Sequence, residues 1–101
     1  MKIHFIGIGG IGISGLAKYM HFQGHQISGS DIKSTIITKN LQKLGIKVNT
    51  PHCASSITDQ DLIIHSAIIK ENNIEIITAK NMGIEIIPRR EALLKILDNK
   101  V

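Results

Sequence analysis

A glycine-rich segment near the amino terminus carries the clearest chemical signal in the sequence. Gly7, Gly9 and Gly12 have the spacing G-x-G-x-x-G, and they stand between an apolar run and a stretch with helical apolar periodicity. Glycine here permits a tight turn and lets a phosphate reach backbone N–H groups, because no Cβ intervenes. The following helix would add unpaired N–H donors and the positive end of its dipole. The pattern therefore predicts a diphosphate site between a strand and a helix.

The rest of the chain predicts the elements that position this loop. Apolar runs alternate with helical patterns, and strands are predicted at residues 3–6, 25–29, 46–48, 62–64 and 84–87. We expect Ser34 to cap the second helix, Gly45 to end it, and Pro88 to open the last helix. The alternation predicts an α/β fold, a Rossmann-like, doubly wound, five-stranded parallel sheet with helices on both faces.

Composition narrows the class of protein. The 101 residues are 43% hydrophobic and 20% charged, which suits one globular domain with a modest core. The formal charge of +4 comes from scattered cations without interleaved aromatic residues, which disfavours nucleic-acid binding and agrees with a small anionic ligand. Cys53 is the single cysteine, and no apolar run is long enough to span a membrane, so we expect a cytoplasmic protein.

Candidate ligand residues follow from the predicted strand ends, because doubly wound sheets bind ligands beyond the carboxyl ends of their strands. These ends hold the glycine segment, Ser30 with Asp31, Pro51 with His52, and residues 65–68 and 88–90. Asp31 follows Gly12 by 19 positions, where a dinucleotide-binding domain places the acid that binds the NAD ribose. An NAD(H)-binding regulatory module is therefore one hypothesis. Two others are an interaction module with an empty glycine loop, and glycines that only pack helix against strand.

Four segments resemble the amino-terminal signature of the Mur ligases. They are HFIGIGGIGISGLA at the glycine loop, SGSD at residues 28–31, HSAI at 65–68 and IPRREALLKIL at 87–97. The resemblance runs along essentially the whole chain, and its most specific parts are the additional Gly10 and the pairing of SGSD with HSAI. His65 and Arg90 depart from the family pattern, which often has serine and a small residue at those positions.

The resemblance implies that the chain binds UDP-N-acetylmuramate rather than a nicotinamide cofactor. It implies that the diphosphate is held by the backbone N–H groups of Gly9, Gly10, Ile11 and Gly12. By the same resemblance, the remaining ligand-binding residues are Ser30, Asp31 and His52 near the uridine, Ser66, Ala67 and Ile68 along the pocket, and Arg89 at a phosphate or the uridine. Each of these polar side chains also has a purely structural interpretation, as the cap of a local turn or as a solvated group.

For the whole enzyme the resemblance implies amide formation in peptidoglycan precursor synthesis, with ATP and Mg²⁺. ATP would phosphorylate the muramoyl carboxylate, and the amine of L-alanine would attack the acyl phosphate. The sequence has no G-x-x-x-x-G-K-[ST] loop and no spaced nucleophile–base pair or metal-ligand motif. We therefore expect residues 1–101 to form one binding domain, without catalytic residues or a cofactor, at the amino terminus of a longer three-domain ligase. Alone it would bind the UDP-sugar weakly and catalyse nothing.

Overall fold

Five parallel strands form the centre of the structure, a computed structural model that describes residues 1–97. The strands are β1 (Lys2–Ile6), β2 (Gln26–Ser30), β3 (Lys47–Asn49), β4 (Leu62–His65) and β5 (Glu85–Pro88). Their order in the sheet is β3-β2-β1-β4-β5, and every neighbouring pair is parallel. The chain thus winds outward from β1 in one direction and then in the other, which confirms the predicted doubly wound fold.

Helices cover both faces of this sheet, as predicted. They are α1 (Ile11–Phe22), α2 (Ile36–Lys43), α3 (Ile74–Asn81) and α4 (Arg89–Leu97), with a short 3₁₀ helix at Ala54–Ser56. One apolar core joins the sheet to α1, α2 and α4. The α1 residues in it are those whose spacing predicts a helix face, Ile13, Leu16, Ala17 and Met20. A second, smaller core around Ile6, Ile63 and Ile76 joins the opposite face to α3.

Three helices end in the same way, and their ends explain a one-residue shift in the predicted strands. Gly24, Gly45 and Gly83 have φ values of +95°, +94° and +74°, in the left-handed region that favours glycine. The residue after each glycine donates its N–H to a helix carbonyl five positions earlier, as in His25 N–H to Met20 O. That residue belongs to the end of the helix, so β2, β3 and β5 each begin one residue later than predicted.

Two predicted helix starts are corrected. The cap of α2 is Thr35 and not Ser34, because Thr35 and Thr38 form a reciprocal capping box. The Thr35 hydroxyl accepts from Thr38 N–H at 3.3 Å, and the Thr38 hydroxyl accepts from Thr35 N–H at 2.8 Å. Pro88 does not open α4, since it pairs with His65 as the last residue of β5 and the helix begins at Arg89.

Within residues 1–97, no helix has the length and apolar character that crossing a membrane requires. The predicted domain also includes residues 98–101, which lie outside the described part of the chain.

Candidate functional site

The glycine loop is anchored to the carboxyl end of β2. The N–H groups of Gly7 and Ile8 both donate to the carbonyl oxygen of Ser30, at 2.9 and 3.0 Å. Gly7 has a φ of +83°, and a Cβ at this position would lie 2.6 Å from the hydroxyl of Ser66. The left-handed backbone and the close approach both require glycine, and together they bring the ends of β1, β2 and β4 to one point.

The first turn of α1 offers an open set of N–H donors at this point. Gly10 is the N-cap residue, no side chain caps the helix, and its first turn has no acidic residue. The guanidinium group of Arg89 lies against Gly12, because a Cβ on Gly12 would be 3.2 Å from Nη1 of Arg89. A positive side chain therefore reinforces the positive end of the helix dipole, and this combination favours an anionic group.

Asp31 holds the loop from the side of β2. Its Oδ2 accepts the N–H of Gly9 at 2.7 Å, and its Oδ1 accepts the N–H of Ile32 at 2.7 Å. The N–H of Gly10 is also engaged, since it donates to the carbonyl of Gly7 at 3.3 Å. Of the four N–H groups expected to hold a diphosphate, those of Gly9 and Gly10 therefore bond within the loop in this structure. The remaining donors are the N–H groups of Ile11 and Gly12 at the start of α1.

Ser30 lies beneath the site and connects it to a buried network. The Ser30 side chain is fully buried, and its hydroxyl donates to Oε1 of Glu75 at 2.7 Å. The hydroxyl oxygen of Ser30 also lies 2.8 Å from Nδ1 of His52. His52 follows β3 and keeps 12% of its side chain exposed, so it lies at the border between the network and solvent.

Glu75 is the centre of this network and was missed by sequence reasoning. Its fully buried carboxylate accepts from Nε2 of His4 at 2.7 Å, from Ser30, and from the N–H of Cys53 at 2.8 Å. Burial raises the pKa of Glu75, but the hydrogen bonds from His4, Ser30 and Cys53 outweigh burial and hold the pKa below its usual value. One signal was available in the sequence: His4 stands in the otherwise apolar run from Ile3 to Ile6.

The segment after β4 forms the other wall of the loop. The hydroxyl of Ser66 is buried beside Gly7 and has no hydrogen-bond partner among the described residues. Ala67 and Ile68 are exposed, and Ile68 leaves 81% of its surface accessible. The Ser66 hydroxyl and the Ile69 side chain therefore adjoin Gly7 on the β4 side of the loop, and the Ile68 side chain nearby is exposed to solvent.

The comparison with protein families decides the identity of this fold. Residues 2–101 match the family described as "Mur ligase family, catalytic domain". The chain belongs to the Mur ligase family. This result confirms the resemblance that the glycine loop and the strand-end segments indicate.

Individual Mur ligases show the same relationship. The chain is 59% identical over 99 residues to the UDP-N-acetylmuramate–L-alanine ligase of Helicobacter pylori, covering 98% of this chain and 22% of that protein. The crystal structure of the UDP-N-acetylmuramate–alanine ligase from Thermotoga maritima superposes with a TM-score of 0.95 at 38% identity, covering 98% of this chain and 23% of that one. The chain thus spans less than a quarter of the length of these relatives.

A second branch of the family is similar but more distant. The UDP-N-acetylmuramate:L-alanyl-gamma-D-glutamyl-meso-diaminopimelate ligase from Neisseria meningitides superposes with a TM-score of 0.79 at 29% identity, covering 86% of this chain and 28% of that one. These relatives are ligases, and the alternative of an NAD(H)-binding regulatory module finds no support among them.

The Mur ligase fold brings most of the predicted site residues to one edge of the sheet. Gly10, Ile11, Gly12 and Arg89 meet at the start of α1, and Ser66 adjoins the loop. Other predicted residues take structural positions: Ser30 is buried beneath the site, and both carboxylate oxygens of Asp31 accept backbone N–H groups.

Proposed function

We propose that this Mur ligase domain binds UDP-N-acetylmuramate at the glycine loop, as the substrate-holding part of an ATP-dependent ligase. The observation that carries the proposal is the uncapped first turn of α1 with the guanidinium group of Arg89 against Gly12. The reaction of the whole ligase would join L-alanine to the muramoyl carboxylate in peptidoglycan precursor synthesis. The similarity to ligases named for this substrate pair supports the assignment.

A diphosphate suits the start of α1 on physical grounds. The N–H groups of Ile11 and Gly12 point out of the helix end, where they can donate to phosphate oxygens. Arg89 supplies a charge-assisted hydrogen bond from the α4 side, with a planar group that matches phosphate geometry. Gly9 and Gly10 join these donors when a phosphate oxygen replaces Asp31 and the Gly7 carbonyl as the acceptor.

The nucleoside and the sugar occupy the two sides of the diphosphate in this proposal. His52 lies on the β2–β3 side, and we place the uridine there. Ser66, Ala67 and Ile68 lie on the β4 side, and we place the sugar there, beside the unpartnered Ser66 hydroxyl and the exposed Ile68 side chain. Asp31 holds the loop through the Gly9 N–H before the ligand binds, and Ser30 holds His52 in position.

The chemical step itself requires groups that the described residues do not supply. No set of three or more His, Cys, Asp or Glu residues in the range 1–97 is arranged to hold a metal ion. The sequence also has no G-x-x-x-x-G-K-[ST] loop for ATP. The contribution of this domain is therefore to bind and orient the UDP-sugar, while ATP and Mg²⁺ act through the remainder of the ligase. ATP is a cytoplasmic reactant, so we place the domain in the cytoplasm.

Calorimetric titration of the 101-residue chain tests the proposal directly. We expect heat of binding with UDP-N-acetylmuramate, weaker binding of UDP, and none with NADH. Preference for NADH over the UDP-sugar would overturn the proposed ligand. A second assay measures phosphate release with ATP, L-alanine and UDP-N-acetylmuramate present. We expect no turnover, and turnover by this chain would contradict the division of roles.

A further inference from the structure

We propose that Glu75 fixes the tautomer of His52, so that Nε2 of His52 is a hydrogen-bond acceptor for an N–H or O–H group of the ligand. Glu75 is thus a positioning residue, and His52 determines specificity. The inference rests on the proposed function for the identity of the ligand, a uridine diphosphate sugar. Its physical basis is that each hydrogen bond in the buried network needs one proton, which determines which atoms donate and which accept.

The Glu75 carboxylate receives donors from three separate elements. Nε2 of His4 on β1, the hydroxyl of Ser30 on β2 and the N–H of Cys53 after β3 all lie within 2.8 Å of its oxygens. The Cys53 N–H can only donate, and an ionised carboxylate can only accept. With these groups around it, the carboxylate is the acceptor in every one of these hydrogen bonds.

The hydroxyl of Ser30 then has no proton left for His52. A serine hydroxyl has one proton and two lone pairs, and Ser30 gives its proton to Oε1 of Glu75 at 2.7 Å. The contact of 2.8 Å between Ser30 Oγ and Nδ1 of His52 therefore requires a proton on Nδ1. Oε2 of Glu75 lies 3.8 Å from the same nitrogen, and its negative charge favours the same arrangement.

A neutral imidazole has a single N–H, so protonation of Nδ1 leaves a lone pair on Nε2. Nε2 has no hydrogen-bond partner in residues 1–97, and it is not among the buried polar atoms that lack one. The acceptor is therefore open to a ligand at the border of the site.

The far end of the network keeps the carboxylate in place. Nδ1 of His4 lies 2.8 Å from the hydroxyl of Ser28, which stands two residues before Ser30 in β2. His4 thus has partners at both ring nitrogens, which orients its ring and directs Nε2 at Glu75. Such fully partnered buried networks hold side chains in one geometry.

A uridine nucleotide has two kinds of donor that fit this acceptor, the imide N–H of the uracil and the hydroxyl groups of the ribose. An ionised phosphate has no such donor and cannot pair with this acceptor. Nε2 of His52 thus requires a donor on the ligand, whereas the start of α1 favours a negative charge.

The first experiment reads the tautomer without any ligand. Long-range ¹H–¹⁵N spectra of the 101-residue chain distinguish protonated from unprotonated ring nitrogens. In the neutral imidazole of His52, we expect a protonated Nδ1 and an unprotonated Nε2. A proton on Nε2 instead would overturn the inference, whatever the chain binds.

In Glu75→Gln we expect a mixture of tautomers, while Glu85→Gln, the same change at an exposed carboxylate, keeps the wild-type pattern. If Glu75→Gln does not fold, the wild-type spectrum alone decides.

The second experiment identifies the donor by comparing UDP with 3-methyl-UDP and 2′-deoxy-UDP. We expect one analogue to bind the wild-type chain about tenfold more weakly than UDP, because an acceptor loses its partner. In His52→Ala this difference should fall to within about twofold, as a double-mutant cycle requires. Equal binding of all three nucleotides, or a penalty that persists in His52→Ala, would contradict the inference. Failure of both UDP and UDP-N-acetylmuramate to bind would instead overturn the proposed function, and the His52 tautomer would still decide the inference.

Discussion

At the scale of single residues, the glycine loop is shaped by contacts that leave no room for a larger side chain. Gly29 in β2 is the tightest of the glycines that surround the loop, because an added Cβ would come closest to Cδ1 of Ile8 and would also lie 2.8 Å from Cβ of Ile8. Ile8 is a loop residue whose side chain is fully buried, and its Cβ is fixed to the loop backbone. The loop therefore depends on a glycine in the neighbouring strand as well as on its own.

Gly29→Ala should lower the free energy of unfolding by about 1–3 kcal/mol, the usual cost of overpacking a core. Gly15→Ala is the matched control, because a Cβ on Gly15 in α1 meets nothing within 4 Å. Alanine is the better helix former, so we expect that variant to gain about 0.5–1 kcal/mol. Urea unfolding followed by circular dichroism measures both. If Gly29→Ala left the free energy of unfolding unchanged, the Ile8 side chain would have to shift to make room for the added methyl group.

Arg89→Ala tests the charged side of the proposed diphosphate site. Loss of a charge-assisted hydrogen bond should weaken UDP binding about 10- to 100-fold. Arg90→Ala is the control, since Arg90 is the adjacent and exposed arginine, and we expect a change within about twofold. Calorimetry at two salt concentrations provides the measurement, and the difference between the variants should shrink at high salt. Equal losses in both variants would indicate a general charge effect instead.

At the scale of elements, the helices differ in how they begin. Thr35 caps α2 and Asn73 caps α3, and in each case the side chain accepts a backbone N–H of the first turn. Gly10 at the start of α1 provides no side-chain cap. Among these three helices, α1 lacks a side-chain cap and faces the proposed ligand, because a capping side chain would occupy the donors that a phosphate uses.

Thr35→Ala should destabilise the chain by about 0.5–2 kcal/mol, since it removes one half of the capping box on α2. Ser34→Ala changes the neighbouring hydroxyl, which the sequence pattern alone identified as the cap. We expect its effect to stay within about 0.5 kcal/mol, as for ordinary surface substitutions. Thermal unfolding measures the stability of both variants. A larger loss of stability in Ser34→Ala than in Thr35→Ala would indicate that Ser34 is the cap of α2.

At the scale of the whole molecule, the two faces of the sheet are built differently. The face under α1, α2 and α4 is apolar, whereas the face under α3 contains the buried polar network around Glu75. His4 and Glu75 are 71 positions apart in the chain, so the network joins the first strand to the third helix. The stability of the fold should therefore depend on the ionised state of one carboxylate.

The free energy of unfolding should fall in acid more steeply for the wild type than for Glu75→Gln. The pKa of Glu75 is lower in the folded chain than its ordinary value of 4.5, so the unfolded chain binds the proton more readily. This stabilisation is present above about pH 4.5 and is lost as the pH falls through the lower, folded-state value. Glutamine cannot titrate, so the difference between the two proteins should shrink on acidification.

Urea unfolding at a series of pH values between about 7 and 3 measures this difference. Glu85→Gln provides the control, since it makes the same change at an exposed carboxylate paired with Lys95. A difference between wild type and Glu75→Gln that stays constant with pH would show that Glu75 does not contribute through its charge.

The sequence by itself determined the features that depend on neighbouring residues. The glycine spacing, the alternation of apolar runs and helical patterns, and the glycines that end three helices are local signals, and the fold agrees with them. The starts of β2, β3 and β5 are the exception. Each lies one residue later than predicted, because the residue before it, such as His25, donates its N–H to the end of a helix.

Only the tertiary structure decided which polar residues meet. The guanidinium group of Arg89 lies against Gly12. The carboxylate of Glu75 accepts hydrogen bonds from His4, Ser30 and Cys53. In both cases the partners are far apart in the chain. Strand order and helix packing create these contacts, and no spacing in the sequence encodes them. Sequence patterns could place candidate residues at one edge of the sheet. Whether a side chain faces the ligand or supports another side chain depended on burial and on hydrogen-bond partners, which exist only in the folded chain.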